Sequence, residues 1–242
     1  MKILKFAFAS SLMLAPVLKG QQVPLPFFHP HDVIVFQGDS ITDGGRLRTG
    51  QDYNHIMGQD YAYILAAEIG AEYPDRNLGF INRGIGGEGV PDLAARWQTD
   101  TIDLHPNLLS ILVGVNDTFA PGPKGETASE FEQNYDRLLS QTLISLPTVK
   151  IILGEPFLLP VGKFSADYSA QRAMIKERQD AVERLARKYN LALVKYQDIF
   201  DDACKLAPAD HWSWDGVHPT YAGHWLMTRA WLAAAAARWP NG

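Results

Sequence analysis

The sequence predicts an α/β fold, a central parallel five-stranded sheet with helices on both faces, and three observations carry that prediction. From residue 33 onward, short apolar runs recur along the chain. They are nearly continuous rather than alternating, as strands buried on both faces are. Longer amphipathic stretches separate them, and this alternation of strand and helix builds a parallel sheet through crossover connections.

Taken in order, Val33-Ile34-Val35-Phe36 is the first predicted strand and Gly79-Phe80-Ile81-Asn82 the second. Leu108 to Val113 is the third, Val149 to Leu153 the fourth and Leu191 to Val194 the fifth. Helices are expected between them. Thr127 to Leu146 places Phe131, Tyr135, Leu138, Leu139, Thr142 and Leu146 on one helical face. Ser169 to Tyr189 is charged, with an apolar stripe of Ala173, Ile175, Val182 and Leu185. Tyr221 to Trp239, rich in alanine and tryptophan, is expected to be buried along one side. Pro121-Gly122-Pro123-Lys124-Gly125 reads as a surface loop.

Of the 242 residues, 46% are hydrophobic and 20% charged, enough for one buried core. With no repeat or interdomain linker in the pattern, residues 21–242 are expected to form a single domain. The net charge of -5 leaves no basic excess for phosphates or an anionic membrane surface, which argues against a nucleic-acid partner and against peripheral lipid binding. Residues 1–20 read as a signal peptide, in which Lys2 and Lys5 precede an apolar run from Phe6 to Leu18 that ends at Lys19-Gly20. That run is too short for stable membrane insertion. Cys204 is the only cysteine, so there is neither an intramolecular disulfide nor a lipoprotein cysteine at the cleavage point. The expected location is secreted or periplasmic, of bacterial type.

In an open parallel sheet, ligands bind beyond the carboxyl ends of the strands, so the residues that follow each strand come first. After strand one, Gly38 allows a tight turn and Ser40 emerges, either as a nucleophile or as the cap of the next helix. There is no G-x-S-x-G, so a nucleophilic Ser40 needs its base from elsewhere in the chain. After strand two, Asn82-Arg83-Gly84-Ile85-Gly86-Gly87-Glu88-Gly89 can bring a backbone N–H close to a ligand oxygen, or be only a turn. It is not a dinucleotide fingerprint, which opens a helix directly after the first strand. After strand three, Asn116 can donate to an oxyanion without changing charge, or can close an Asx turn. Near the C-terminus, Asp215 and His218 stand three residues apart, where a carboxylate can fix an imidazole's tautomer. The alternative there is a surface loop leading into a helix that starts at Pro219. Together the four places supply nucleophile, oxyanion donors, base and orienting acid.

Gly38-Asp39-Ser40, Gly87, Gly114-x-Asn116-Asp117 and Asp215-x-x-His218 resemble the ordered blocks of SGNH/GDSL hydrolases, and the likeness runs from Val33 to Trp239. It extends to acetylxylan esterases through Gly38-Asp39-Ser40-Ile41-Thr42-Asp43, Asp92-Leu93-x-x-Arg96-Trp97 and Trp214-Asp215-x-Val217-His218-Pro219-x-x-Ala222-Gly223-His224. The resemblance implies a three-layer flavodoxin-like SGNH hydrolase fold. It implies a serine esterase that removes short acyl groups, with acetylated carbohydrate such as xylan as substrate and with no cofactor or metal. Ser40 would be the nucleophile, His218 the general base and then acid, and Asp215 its orienting partner. The oxyanion hole would comprise the backbone N–H groups of Ser40 and Gly87 and the side chain of Asn116, with Gly87 taken in preference to Gly86.

Asp39, Trp212 and Trp214 are the candidate substrate contacts. The two tryptophans flank the base and can wall a sugar ring, with aromatic core packing as the alternative. A general short-chain carboxylesterase or a lysophospholipase-like enzyme uses the same chemistry. A metal-dependent phosphoesterase would draw on Asp39, Asn116, Asp117, His211, His218 and His224, but H-E-x-x-H and paired aspartate-rich clusters are missing from the sequence. A non-catalytic carbohydrate-binding protein would have no use for a nucleophile and a base. The oligomeric state is left open by the sequence.

Overall fold

The computed structural model describes residues 24–50, 52–119 and 126–241. The expected signal peptide and the Pro121–Gly125 loop lie outside the described residues. The strands are β1 (Val33–Gly38), β2 (Gly79–Asn82), β3 (Leu108–Leu112), β4 (Lys150–Gly154) and β5 (Ala192–Val194), all parallel in the order β2-β1-β3-β4-β5. β1 runs past its predicted end because Gln37 and Gly38 still pair with Ile111 and Leu112 of β3. The buried Gln37 amide is satisfied there, donating to the Asp100 carbonyl and the Thr101 hydroxyl, both at 2.7 Å.

The helices are α1 (Ser40–Asp43), α2 (Tyr61–Glu72), α3 (Val90–Asp100), α4 (Val115–Phe119), α5 (Ala128–Ser145), α6 (Tyr168–Lys188), α7 (Tyr196–Ala203), α8 (Ala209–Trp212) and α9 (Tyr221–Arg238). The three long helices predicted from periodicity are α5, α6 and α9. Thr127 and Leu146, the predicted ends of α5, are its caps, and Thr127 and Glu130 form a reciprocal capping box. On α6, Ile175, Val182 and Leu185 are buried while Ala173 is exposed, so the stripe is narrower than predicted. α9 begins after Pro219, because the Thr220 hydroxyl caps the Gly223 N–H and Pro219 is bridged to Ser213.

Alternate strand residues feed two cores, as the period of two requires. Ile34, Phe36, Leu108 and Leu112 pack under α2, α7 and α9 with Tyr61, Phe200 and Trp231. Val35, Leu109, Ile111 and Val113 face Trp97, Phe131 and Val182 of α3, α5 and α6. Each fully buried side chain of this kind contributes about 1.5–3 kcal/mol. The result is the three-layer arrangement implied by the resemblance. The strand order reverses direction between β1 and β3, where an open sheet of this kind has its crevice. Ser40 leaves β1 and Asn116 leaves β3 at that place.

Candidate active site

Only glycine fits at the end of β1, because a methyl group on Gly38 would collide with the Leu112 carbonyl and the Thr42 hydroxyl. The cap of α1 is Asp39 rather than Ser40: its Oδ1 accepts the Ile41 N–H at 3.0 Å. Ser40 is thereby the first helical residue, and its own backbone N–H has no partner among the described residues. Its hydroxyl stands 2.8 Å from His218 Nε2.

The other imidazole nitrogen, Nδ1, lies 2.7 Å from Asp215 Oδ2. Asp215 Oδ1 accepts the backbone N–H groups of His218 at 2.8 Å and Val217 at 3.0 Å. Burial pushes the Asp215 carboxyl up, but these bonds outweigh it and hold the group below the usual carboxylate range. An ionised Asp215 favours the tautomer with the proton on Nδ1, in which Nε2 is able to accept a proton from a neighbouring hydroxyl. The loop around them is stitched together: Ser213 Oγ donates to the His218 carbonyl at 2.8 Å and accepts from the Gly216 N–H at 3.0 Å. Gly216 has a φ of 102°, and a side chain there would come within 2.7 Å of the Leu159 carbonyl. This bonding replaces the bland surface loop that the sequence also allowed.

On the glycine loop, the Gly86 N–H is taken by Asp43 Oδ2 at 2.9 Å, while the exposed Gly87 N–H has no partner among the described residues. Gly87 is the free donor of the two. Asn116 Nδ2 donates to the Glu88 carbonyl at 3.0 Å, which uses one of its two hydrogens and leaves the second. Asp117 Oδ1 accepts the Val90 N–H at 2.7 Å, although burial pushes its carboxyl up to about 6. Asp43 also accepts from Arg48 Nη2 at 2.6 Å. Asp43 and Asp117 therefore fix the loop that carries Gly87, a role the sequence reading did not give them. The available signal was position: Asp43 lies three residues after Ser40 and Asp117 directly after Asn116.

Two candidate substrate contacts are corrected. Asp39 is 1% exposed and serves as a helix cap; burial, opposed by the Ile41 bond and reinforced by the charge of Asp117, pushes it up to about 7. Trp212 is 8% exposed, sits in the hydrophobic core and donates its indole N–H to the Ala203 carbonyl at 3.1 Å. Neither side chain is placed to meet a substrate. Trp214 is 64% exposed and stacks on His218, with ring centroids 5.3 Å apart and an interplanar angle of 14°. His224 faces inward, where its Nδ1 accepts the Tyr61 N–H at 3.2 Å and burial pushes it down to about 4. The described residues contain no group of three or more His, Cys, Asp or Glu able to hold a metal ion.

Hydroxyl, imidazole and carboxylate in hydrogen-bonded series are how a serine hydrolase ionises its serine, and a serine hydrolase is the class this fold and site define. The model of the GDSL-like lipase/acylhydrolase family matches residues 36–226, and the chain belongs to that family. Over 211 residues it is 32% identical to an acetylxylan esterase of Geobacillus stearothermophilus, covering 85% of this chain and 94% of that one. A Parabacteroides merdae protein of the GDSL-like lipase type has a crystal structure similar to this one, with a TM-score of 0.83, 36% identity and coverage of 88% of this chain and 99% of that one. The crystal structure of Axe2, an acetylxylan esterase from Geobacillus stearothermophilus, matches with a TM-score of 0.75 at 30% identity, covering 86% of this chain and 95% of that one.

Proposed function

We propose that this enzyme removes acetyl groups from acetylated xylan or xylo-oligosaccharides through an acyl-enzyme on Ser40. The observation that carries the proposal is the 2.8 Å approach of Ser40 Oγ to His218 Nε2, on an imidazole bonded to Asp215. His218 takes the Ser40 proton as the oxygen attacks the ester carbonyl. The tetrahedral oxyanion is then held by the Ser40 and Gly87 N–H groups and the free hydrogen of Asn116. Collapse of the intermediate expels the sugar hydroxyl, protonated by His218, and leaves acetyl on Ser40. Water, deprotonated by the same imidazole, releases acetate and restores the serine. The acetylxylan esterase relatives, similar over most of both chains, support the choice of acyl group and sugar. Exposed Trp214 beside the base offers a face to a sugar ring.

The proposal includes export, with the leader removed near Gly20, so that the enzyme meets its substrate outside the cytoplasm. Purified protein and its Ser40→Ala variant are to be compared for acetate release from acetylated xylo-oligosaccharides, with p-nitrophenyl acetate as control. Serine-dependent release from both substrates is expected. Cleavage of p-nitrophenyl acetate alone would refute the xylan assignment while keeping the esterase, and no serine-dependent cleavage of either would refute the mechanism.

A further inference from the structure

Trp214 is a large apolar side chain that burial does not hold in place. It is 64% exposed, yet its ring lies nearly parallel to that of His218 at 14°, with centroids 5.3 Å apart. The backbone fixes this arrangement: the Trp214 N–H donates to the His218 carbonyl at 3.1 Å, and Ser213 and Pro219 form an antiparallel bridge on either side of the pair. The two rings therefore face one another across a closed loop.

From this stacking we infer that Trp214 is a positioning residue for the base, its ring face stabilising the imidazolium that His218 becomes each time it takes a proton from Ser40 or water. The inference rests on His218 acting as the base, as proposed above. A cation within about 6 Å of an indole centroid is attracted by the negative face of the ring, and the attraction grows when positive charge appears on the imidazole. It therefore acts on the transition state and not on the neutral resting enzyme. The groups around the imidazole are Asp215 on its own loop, Ser40 at the head of α1 and His224 on α9. Lys163, next in sequence to the Gly162 that abuts the Asp215 backbone, has its ammonium over the Phe164 ring. His224, held by the Tyr61 N–H and pushed down to about 4, is uncharged over the working range. The hydrogen bonds that hold Ser40, Asp215 and His224 do not involve the Trp214 side chain.

Two effects of opposite appearance follow from one cause. Without the ring, the imidazolium of the transition state is less stable, so the plateau of kcat/KM falls. The resting imidazolium is also less stable, so the acidic limb of the pH profile moves to lower pH. An exposed cation–π contact corresponds to about a two- to fivefold fall and to a limb displacement of about 0.4–0.7 pH unit.

The test is a pH-stat profile of ethyl acetate hydrolysis by wild type, Trp214→Leu, Trp214→Phe and Ser40→Ala, with folding checked by circular dichroism. Ethyl acetate has no ring to stack on Trp214, so lost sugar or aryl binding does not contribute. The expected result is a lower plateau and a limb displaced to lower pH in Trp214→Leu, with both partly restored in Trp214→Phe. An unchanged profile in Trp214→Leu would overturn the inference. So would a limb displaced to higher pH, because that is the signature of a ring that only keeps water from the imidazole. Activity persisting in Ser40→Ala would instead overturn the serine mechanism itself, so the two failures are distinct.

Discussion

Replacing Asn116 with alanine removes two interactions of different kinds. One amide hydrogen holds the Glu88 carbonyl at 3.0 Å in the resting enzyme, and the other is free for the oxyanion. The first is a ground-state contact, whose loss costs about 0.5–1.5 kcal/mol of stability. Its loss leaves the loop tied by the Gly86 bond to Asp43 and the Val90 bond to Asp117, so Gly87 stays in position. The second exists only when negative charge develops, and removing one such donor lowers kcat by about 10²–10³-fold, or about 2.7–4 kcal/mol. Steady-state kinetics on p-nitrophenyl acetate, with thermal unfolding alongside, separates them. A large fall in kcat is expected at nearly constant KM, with a decrease of a few degrees in Tm. A fall below about threefold in a folded variant, far short of the usual effect of an oxyanion donor, would remove Asn116 from the hole.

Asp215→Asn should keep both backbone bonds to the retained oxygen and hence the fold, but present an amide to Nδ1 and disturb the tautomer. A loss of about 10⁴-fold in kcat is expected from the behaviour of such carboxylates, and near-normal turnover would defeat the triad assignment. Asp39 keeps a proton in the folded state between its ordinary value of 3.8 and about 7, so its contribution to stability is present at acid pH and is lost as pH rises through that window. Asp39→Asn cannot ionise, and its Tm relative to wild type should climb between pH 4 and 7, by on the order of 4 kcal/mol in stability at the upper end. A pH-independent difference would contradict a protonated Asp39. Trp212→Ala should cost about 3–5 kcal/mol because it empties a core site, and an unchanged Tm would contradict that placement.

Much of the fold was legible because buried strands and amphipathic helices leave distinct periods. β2 has its predicted bounds, and Thr127 and Leu146 bracket α5 as caps. α1 and α8 are four residues each, too short for a period of 3.6 to register, and are held by caps and tertiary contacts. The same limit explains the reading of Ser40 as a possible cap: Asp39 and Ser40 are both good capping residues, and only backbone geometry shows that Asp39 takes the position. Trp212 and Trp214 are indistinguishable by type and sit two positions apart. Trp212 ends α8 facing the core and Trp214 lies on the outward loop, a difference decided by how the Ser213–Pro219 bridge closes. Gly86 and Gly87 are likewise indistinguishable by type, and they differ through Asp43, distant in sequence, which takes the Gly86 N–H.

The central claim is that Ser40 carries the acyl group, and trapping that species tests it most directly. The enzyme is to be mixed with excess p-nitrophenyl acetate, quenched in acid during the pre-steady state and analysed by peptide mass spectrometry. One acetyl group on the peptide containing Ser40 is expected, with a matching burst of p-nitrophenol, and neither should appear in Ser40→Ala. Acetyl on a different residue, or undiminished turnover by Ser40→Ala, would contradict the account.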